Sequence, residues 1–81
     1  MYHVYILYSQ LRDRYYIGYT GDDIHERLRK HNSNHKGFTG SKVDWVIVHL
    51  EIFDNKQAAS AGETQIKNWK SRKMIEHLIK K

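Results

Sequence analysis

Arg27 and His31 stand one helical turn apart in IHERLRKHN, a segment whose apolar residues Ile24 and Leu28 define a helix stripe. At about 100° per residue, with Ile24 as zero, Leu28 falls at about 40°, His31 at about 340° and Arg27 at about 300°. A guanidinium and an imidazole spaced i, i+4 then reach one point beside whatever the helix packs on. Either they serve a site there, or they are a snorkelling arginine and a hydrogen-bonded core histidine; the local sequence leaves both open. A carboxylate shows the same anomaly further along. With Ala59 at zero, Ile66 lies at about 340° and Glu63 at about 40°, so Glu63 is on a packing face. Burying an unpaired carboxylate costs several kcal/mol, which means Glu63 is ion-paired, hydrogen-bonded, metal-bound or in a cleft. A salt bridge to Arg27 or Lys67 and a metal site both satisfy that requirement.

Charge and aromatic distribution narrow the partner. Fourteen Lys and Arg against nine Asp and Glu give a net +5 over 81 residues, which favours polyanions. All six tyrosines, Tyr2, Tyr5, Tyr8, Tyr15, Tyr16 and Tyr19, fall in the first nineteen residues, and such amphipathic rings in one quarter of the chain are expected to define a surface. Other chemistries lack their residues. Without cysteine there is no disulfide or thiolate zinc site, and His25, His31 and His35 make a weak zinc set because SNHKG leaves the helix before His35. No serine-nucleophile elbow and no phosphate-cradling glycine loop occurs. The apolar start, MYHVYILYSQ, is too short and too soon followed by Arg12 and Arg14 for a signal peptide or membrane span. A cytoplasmic protein with no membrane partner is expected, with residues 1–81 forming one domain and a monomer favoured.

The elements that must hold these residues can be read from periodicity. HVYILYS and YYIGYT are β-branched and aromatic stretches either side of the turn-like QLRDR, and read as a hairpin. TGDD supplies a turn and an Asp cap for a helix over about 23–32. Residues 33–43 have no period and read as a long loop. In WVIVHLEIF, strict alternation assigns Val46, Val48, Leu50 and Ile52 to an apolar core face and Trp45, Ile47, His49, Glu51 and Phe53 to a mixed one. Asp54 is placed to cap a second helix over about 55–69, and Ser71 a third carrying Met74, Ile75, Leu78 and Ile79. The order β-β-α-β-α-α predicts an α+β fold, a small three-stranded and largely antiparallel sheet flanked by helices.

Tyr16-Ile17-Gly18 on the second strand, a tyrosine eleven residues before Tyr16 in His3-Val4-Tyr5, Arg27 with His31 on the first helix and Glu63 on the second together resemble the GIY-YIG nuclease superfamily, in particular its small members. DRYYIGYT, RLRKHN, HKGFTG, DWVIVHLEIFD and ETQIKNWKSRK carry the likeness from Tyr2 to Lys73. His3-Val4 stands where the name-giving motif has Gly-Ile, with the tyrosine kept. The resemblance implies metal-assisted hydrolysis of a phosphodiester bond, with Tyr5, Tyr16, Arg27, His31 and Glu63 converging on one concave surface. Tyr5 and Tyr16 would orient or deprotonate the attacking water, Arg27 would hold the scissile phosphate, His31 would assist the base, and Glu63 would bind one divalent cation, Mg²⁺ or Mn²⁺.

On that resemblance the substrate is DNA, cut with little sequence preference and possible structure selectivity of the kind used in repair; nothing in the sequence separates DNA from RNA. Lys36 and Lys42 in the long loop and Lys67 on the second helix are the expected backbone contacts. The rival expectation is a nucleic-acid-binding module on the same scaffold without turnover, its tyrosines acting as stacking platforms.

Overall fold

In the computed structural model, residues 1–33 and 44–80 are described. Six elements follow in the order expected: β1 (Tyr2–Ser9), β2 (Arg14–Thr20), α1 (Ile24–Ser33), β3 (Val46–Phe53), α2 (Lys56–Trp69) and α3 (Arg72–Ile79). The three strands form one antiparallel sheet of order β2-β1-β3, so the first strand is central and the other two are edges. No helix among the described residues is long and apolar enough to cross a membrane.

The central strand carries the core. Val4, Tyr5, Ile6 and Leu7 are all buried in succession, which a period-two element allows when both its faces are covered. Val4 and Ile6 pack with Ala59 and Ile66 of α2, joined by Phe53, Trp69, Ile75 and Leu78. On the other face, Asn32 near the end of α1 closes a two-way clasp with the backbone of Trp45: its side chain donates to the carbonyl at 3.2 Å and accepts from the amide at 3.0 Å. This clasp fixes α1 against the start of β3.

The caps explain where the helices begin. Asp23 accepts from the amides of His25 and Glu26, and Ser71 from that of Met74, as the sequence suggests. The cap of α2 is Asn55, whose side-chain oxygen accepts from Ala58 at 2.8 Å, and not the expected Asp54. Both residues are good caps, and a one-residue difference in where β3 ends decides between them. Lys70 then leaves α2 in the left-handed conformation, φ 48°, and turns the chain into α3.

The expected faces of β3 are corrected. Ile6 pairs with His49 but Leu7 with Ile47, so Val48 is an extra residue and the phase of the strand switches there. Residues directly opposite share a face, so Val46 lies on the side of Tyr8 whereas Leu50 and Ile52 lie on the side of Tyr5 and His3. His49, Glu51 and Phe53 take the α2 side, where His49 and Glu51 are 2.7 Å apart, while Leu50 and Ile52 remain 41% and 62% exposed. The mixed face packs, and much of the apolar one does not.

Candidate active site

Register brings the first two tyrosines together. Tyr5 is opposite Gly18, and Tyr16 is two residues along the same face of β2, which stacks the rings of Tyr5 and Tyr16 with centroids 6.3 Å apart and planes 23° apart. Trp45 closes over Tyr16 edge-on, also at 6.3 Å. The tyrosine pair depends on Gly18. A Cβ there would stand 2.6 Å from Tyr5 Oη, 2.9 Å from its Cζ and 3.1 Å from Tyr16 Cε1, so the Tyr5 ring lies across a strand position that has no side chain. Since β2 is the edge, this aims the Tyr5 hydroxyl out of the central strand toward the open side of the sheet.

Arg27 meets it there. The α1 residue donates from Nε to Tyr5 Oη at 3.3 Å, a hydrogen bond that offsets part of the cost of burying the phenol. Its two terminal nitrogens have no hydrogen-bond partner among the described residues. The planar fork of an arginine held at Nε is suited to a phosphate taken in bidentate fashion. Burial raises the Tyr5 pKa above 10, Arg27 opposes that rise, and Tyr16 and Glu63 add to it. Tyr5 is therefore a neutral phenol at neutral pH.

Glu63 reaches the same place from α2. Its carboxylate is 17% exposed, with Lys67 at 3.5 Å one turn further along the helix. Together Tyr5, Tyr16, Gly18, Arg27 and Glu63 line a cleft of about 530 Å³. Four of the five expected residues thus converge. Because β2 contributes Tyr16 and Gly18 from one face and Tyr19 from the other, the cleft runs across the free edge of the strand. The remaining expected residue, His31, belongs to α1 one turn beyond Arg27, and its side chain lies outside the described residues, as do Lys36 and Lys42. Lys67 is half exposed and is the ion-pair partner of Glu63, as one of the open alternatives had it.

Sequence reasoning missed Tyr2, Tyr19, Asp22 and Lys56, which also line the cleft. One signal was available: Lys56 precedes Glu63 by seven, two turns earlier on the same stripe of α2. The other two tyrosines are elsewhere. Tyr8 and Tyr15 pack ring to ring at 4.8 Å, and tie the hairpin to α3 through Asp13, Arg72 and Glu76. Six tyrosines therefore make two surfaces, four in the cleft and two in a clamp.

The donor set can be tested against a divalent cation. Among the described residues no three His, Asp or Glu side chains gather as a ready-made cage. The cleft instead offers the carboxylates of Glu63 and Asp22 beside tyrosine hydroxyls, all oxygen donors. That suits Mg²⁺ or Mn²⁺, which keep several waters and are bound through one or two carboxylates plus substrate phosphate.

The chain is similar to known proteins in sequence and in fold. A UPF0213 protein of Haloquadratum walsbyi is 36% identical over 59 residues, 72% of this chain and 65% of its own length. Another, of Streptococcus pyogenes serotype M5, is 37% identical over 59 residues, 70% of this chain and 62% of its own. The chain thus spans a little under two thirds of these relatives. The solution NMR structure of a UPF0213 protein of Bacillus halodurans matches with a TM-score of 0.61 and 31% identity, over 99% of this chain and 84% of that one. Residues 1–76, which include both tyrosine strands, α1 and Glu63, match the GIY-YIG catalytic domain, and the chain belongs to that family.

Proposed function

We propose that the protein is a metal-dependent endonuclease that hydrolyses phosphodiester bonds in DNA with little sequence preference. The observation that carries this reading is the Arg27 guanidinium, anchored at Nε by Tyr5 with its terminal nitrogens unpartnered among the described residues, in one cleft with the Glu63 carboxylate. Binding alone has no use for a carboxylate beside a bound polyanion.

Arg27 takes two oxygens of the scissile phosphate, and its charge stabilises the transition state, in which those oxygens gain negative charge. Tyr5, neutral and held at its oxygen, orients the attacking water. Tyr16 is 40% exposed and stands at the solvent side of the pair, where it meets that water first. Water oxygen bonds to phosphorus, the bond from phosphorus to the leaving sugar oxygen breaks, a proton of the water passes to a tyrosine oxygen as that phenol gives up its own proton, and the leaving oxygen takes a proton from solvent. His31, one turn after Arg27 in sequence, is assigned the role of accepting the proton onward. A free tyrosine is only about one part in a thousand phenolate at pH 7, a handicap of about 4 kcal/mol, so such an acceptor is required. Glu63, with Asp22 near, would hold the cation, which when bound neutralises charge on the phosphoryl oxygens. Wrapping the edge of a strand, the cleft is open enough for a polymer, and phosphate contacts position it without reading sequence.

One observation favours the rival binding module: Lys67 already neutralises Glu63 at 3.5 Å. A cleavage assay on supercoiled, single-stranded and branched DNA with Mg²⁺ or Mn²⁺, run beside Glu63→Ala, separates the two. Metal-dependent cutting lost in the variant supports the endonuclease. Binding without cutting, unchanged in the variant, supports the module.

A further inference from the structure

We propose that the cleft holds a second subsite, built from Lys56 and Tyr2, which grips the nucleotide flanking the scissile phosphate of a DNA strand; this rests on the endonuclease reading and extends it. Lys56 is the first residue of α2, exposed, and without an ion-pair or hydrogen-bond partner among the described residues. It lines the same cleft as Glu63 and stands seven residues before it. Seven helical residues place the two on one stripe, about 10 Å apart along the axis. Backbone positions that far apart let Lys56 meet a different phosphate from the one beside Glu63.

Tyr2 repeats the construction that places Tyr5. Three residues apart on β1, the two tyrosines leave the strand on opposite faces, yet both line the cleft. A Cβ at Gly21 would stand 2.8, 3.2 and 3.3 Å from Cε2, Cζ and Cδ2 of Tyr2, just as one at Gly18 would strike Tyr5. Each ring thus lies across a glycine toward the open side of β2. Tyr5 receives Arg27 there; Tyr2 has no hydrogen-bond partner among the described residues and offers its ring to a sugar or base, in the cleft that Lys56 also lines. An unpartnered ammonium and an amphipathic ring lining one cleft are the combination by which a nucleic-acid strand is held without sequence readout.

The test is anisotropy of a labelled 12-nucleotide single strand without divalent metal, between about 50 and 200 mM salt, for wild type, Lys56→Ala, Gly21→Ala and the control Lys73→Ala on α3. Lys56→Ala should weaken binding about fivefold at low salt and make the salt slope shallower by about 0.7, the value for one phosphate contact on a single strand. Gly21→Ala, which displaces the Tyr2 ring and removes no charge, should weaken binding and leave the slope unchanged. In metal-supported turnover, Lys56→Ala should raise KM and leave kcat within about threefold. Lys56→Ala indistinguishable from Lys73→Ala in affinity and slope overturns the subsite alone. Wild type that binds no DNA overturns the endonuclease reading and the subsite with it, whereas wild type that binds without cutting is still resolved by the anisotropy arm.

Discussion

Replacing Gly18 by alanine tests the geometry of the site through one methyl group. Carbon atoms in contact settle at about 3.5–4.0 Å, and the new Cβ would meet Tyr5 Oη at 2.6 Å and Cζ at 2.9 Å, a shortfall of about 1 Å. The Tyr5 ring must move by about that much. Its hydrogen bond from Arg27 is already 3.3 Å long, so the shift carries it beyond bonding distance. Overpacking at about 1–3 kcal/mol, plus part of the loss of a partner for a buried hydroxyl, is offset by about 0.5–1 kcal/mol from the better strand preference of alanine. The net cost is about 1–3 kcal/mol, read in thermal unfolding as a Tm lowered by roughly 5–20 °C. Cleavage should suffer more, by about 100-fold, because a 1 Å misplacement of an orienting group costs that much. DNA affinity should change little, since the terminal nitrogens of Arg27 stay available. Adding Tyr5→Phe removes the atom struck at 2.6 Å but keeps Cζ at 2.9 Å, so the double variant should regain part of the stability but not activity. Gly18→Ala cutting within about threefold of wild type, with an unchanged melting temperature, would refute the account of how Tyr5 is held.

Glu63→Ala should bind DNA as well as wild type or better, because repulsion of the phosphate is removed, while metal-supported cleavage falls at least about 100-fold; parallel anisotropy and plasmid-nicking measurements check this. Spectroscopic titration of the phenols should find Tyr5, Tyr8 and Tyr15 above the ordinary value near 10, and Arg27→Ala should raise that of Tyr5 further, because the arginine opposes the effect of burial there. Since the folded pKa of Tyr5 is raised, its linked stability is fully present below pH 10 and is lost as pH climbs through the folded value, which alkaline unfolding curves of wild type and Tyr5→Phe would resolve. Asn55→Ala should destabilise by about 1 kcal/mol in urea unfolding and Asp54→Ala by less than half of that; the reverse order would return the cap of α2 to Asp54. Asp13 and Glu76 have lowered pKa values, chiefly through hydrogen bonds from Arg72, so the clamp on α3 is present above their ordinary values and lost as pH falls through the lowered ones; Arg72→Ala should flatten acid unfolding between about pH 2 and 5 and lessen its salt sensitivity.

Element order, the α+β class and the hairpin were legible in the residues because helix and strand periods and side-chain caps are local properties. The helix phases of Arg27 and Glu63 were legible for the same reason: a residue that breaks an apolar stripe is aimed at whatever the stripe packs on. The likeness to a family added Tyr5 and Tyr16, which no local rule separates from the other four tyrosines. That separation is decided by contacts distant in sequence: Tyr5 crosses Gly18 toward the edge of β2, Tyr15 is drawn to Arg72 and Glu76 on α3 with Tyr8 packed on its ring, and Tyr2 and Tyr19 reach the cleft. Local alternation misled at β3, because the extra residue at Val48 shows only when the strand is paired with β1. The convergence of Arg27, the tyrosines and Glu63 is likewise tertiary. A helix stripe states which way a side chain points, but only the docking of α1 and α2 around the free edge of β2 decides that these stripes meet in one cleft, and that Lys56 meets it too.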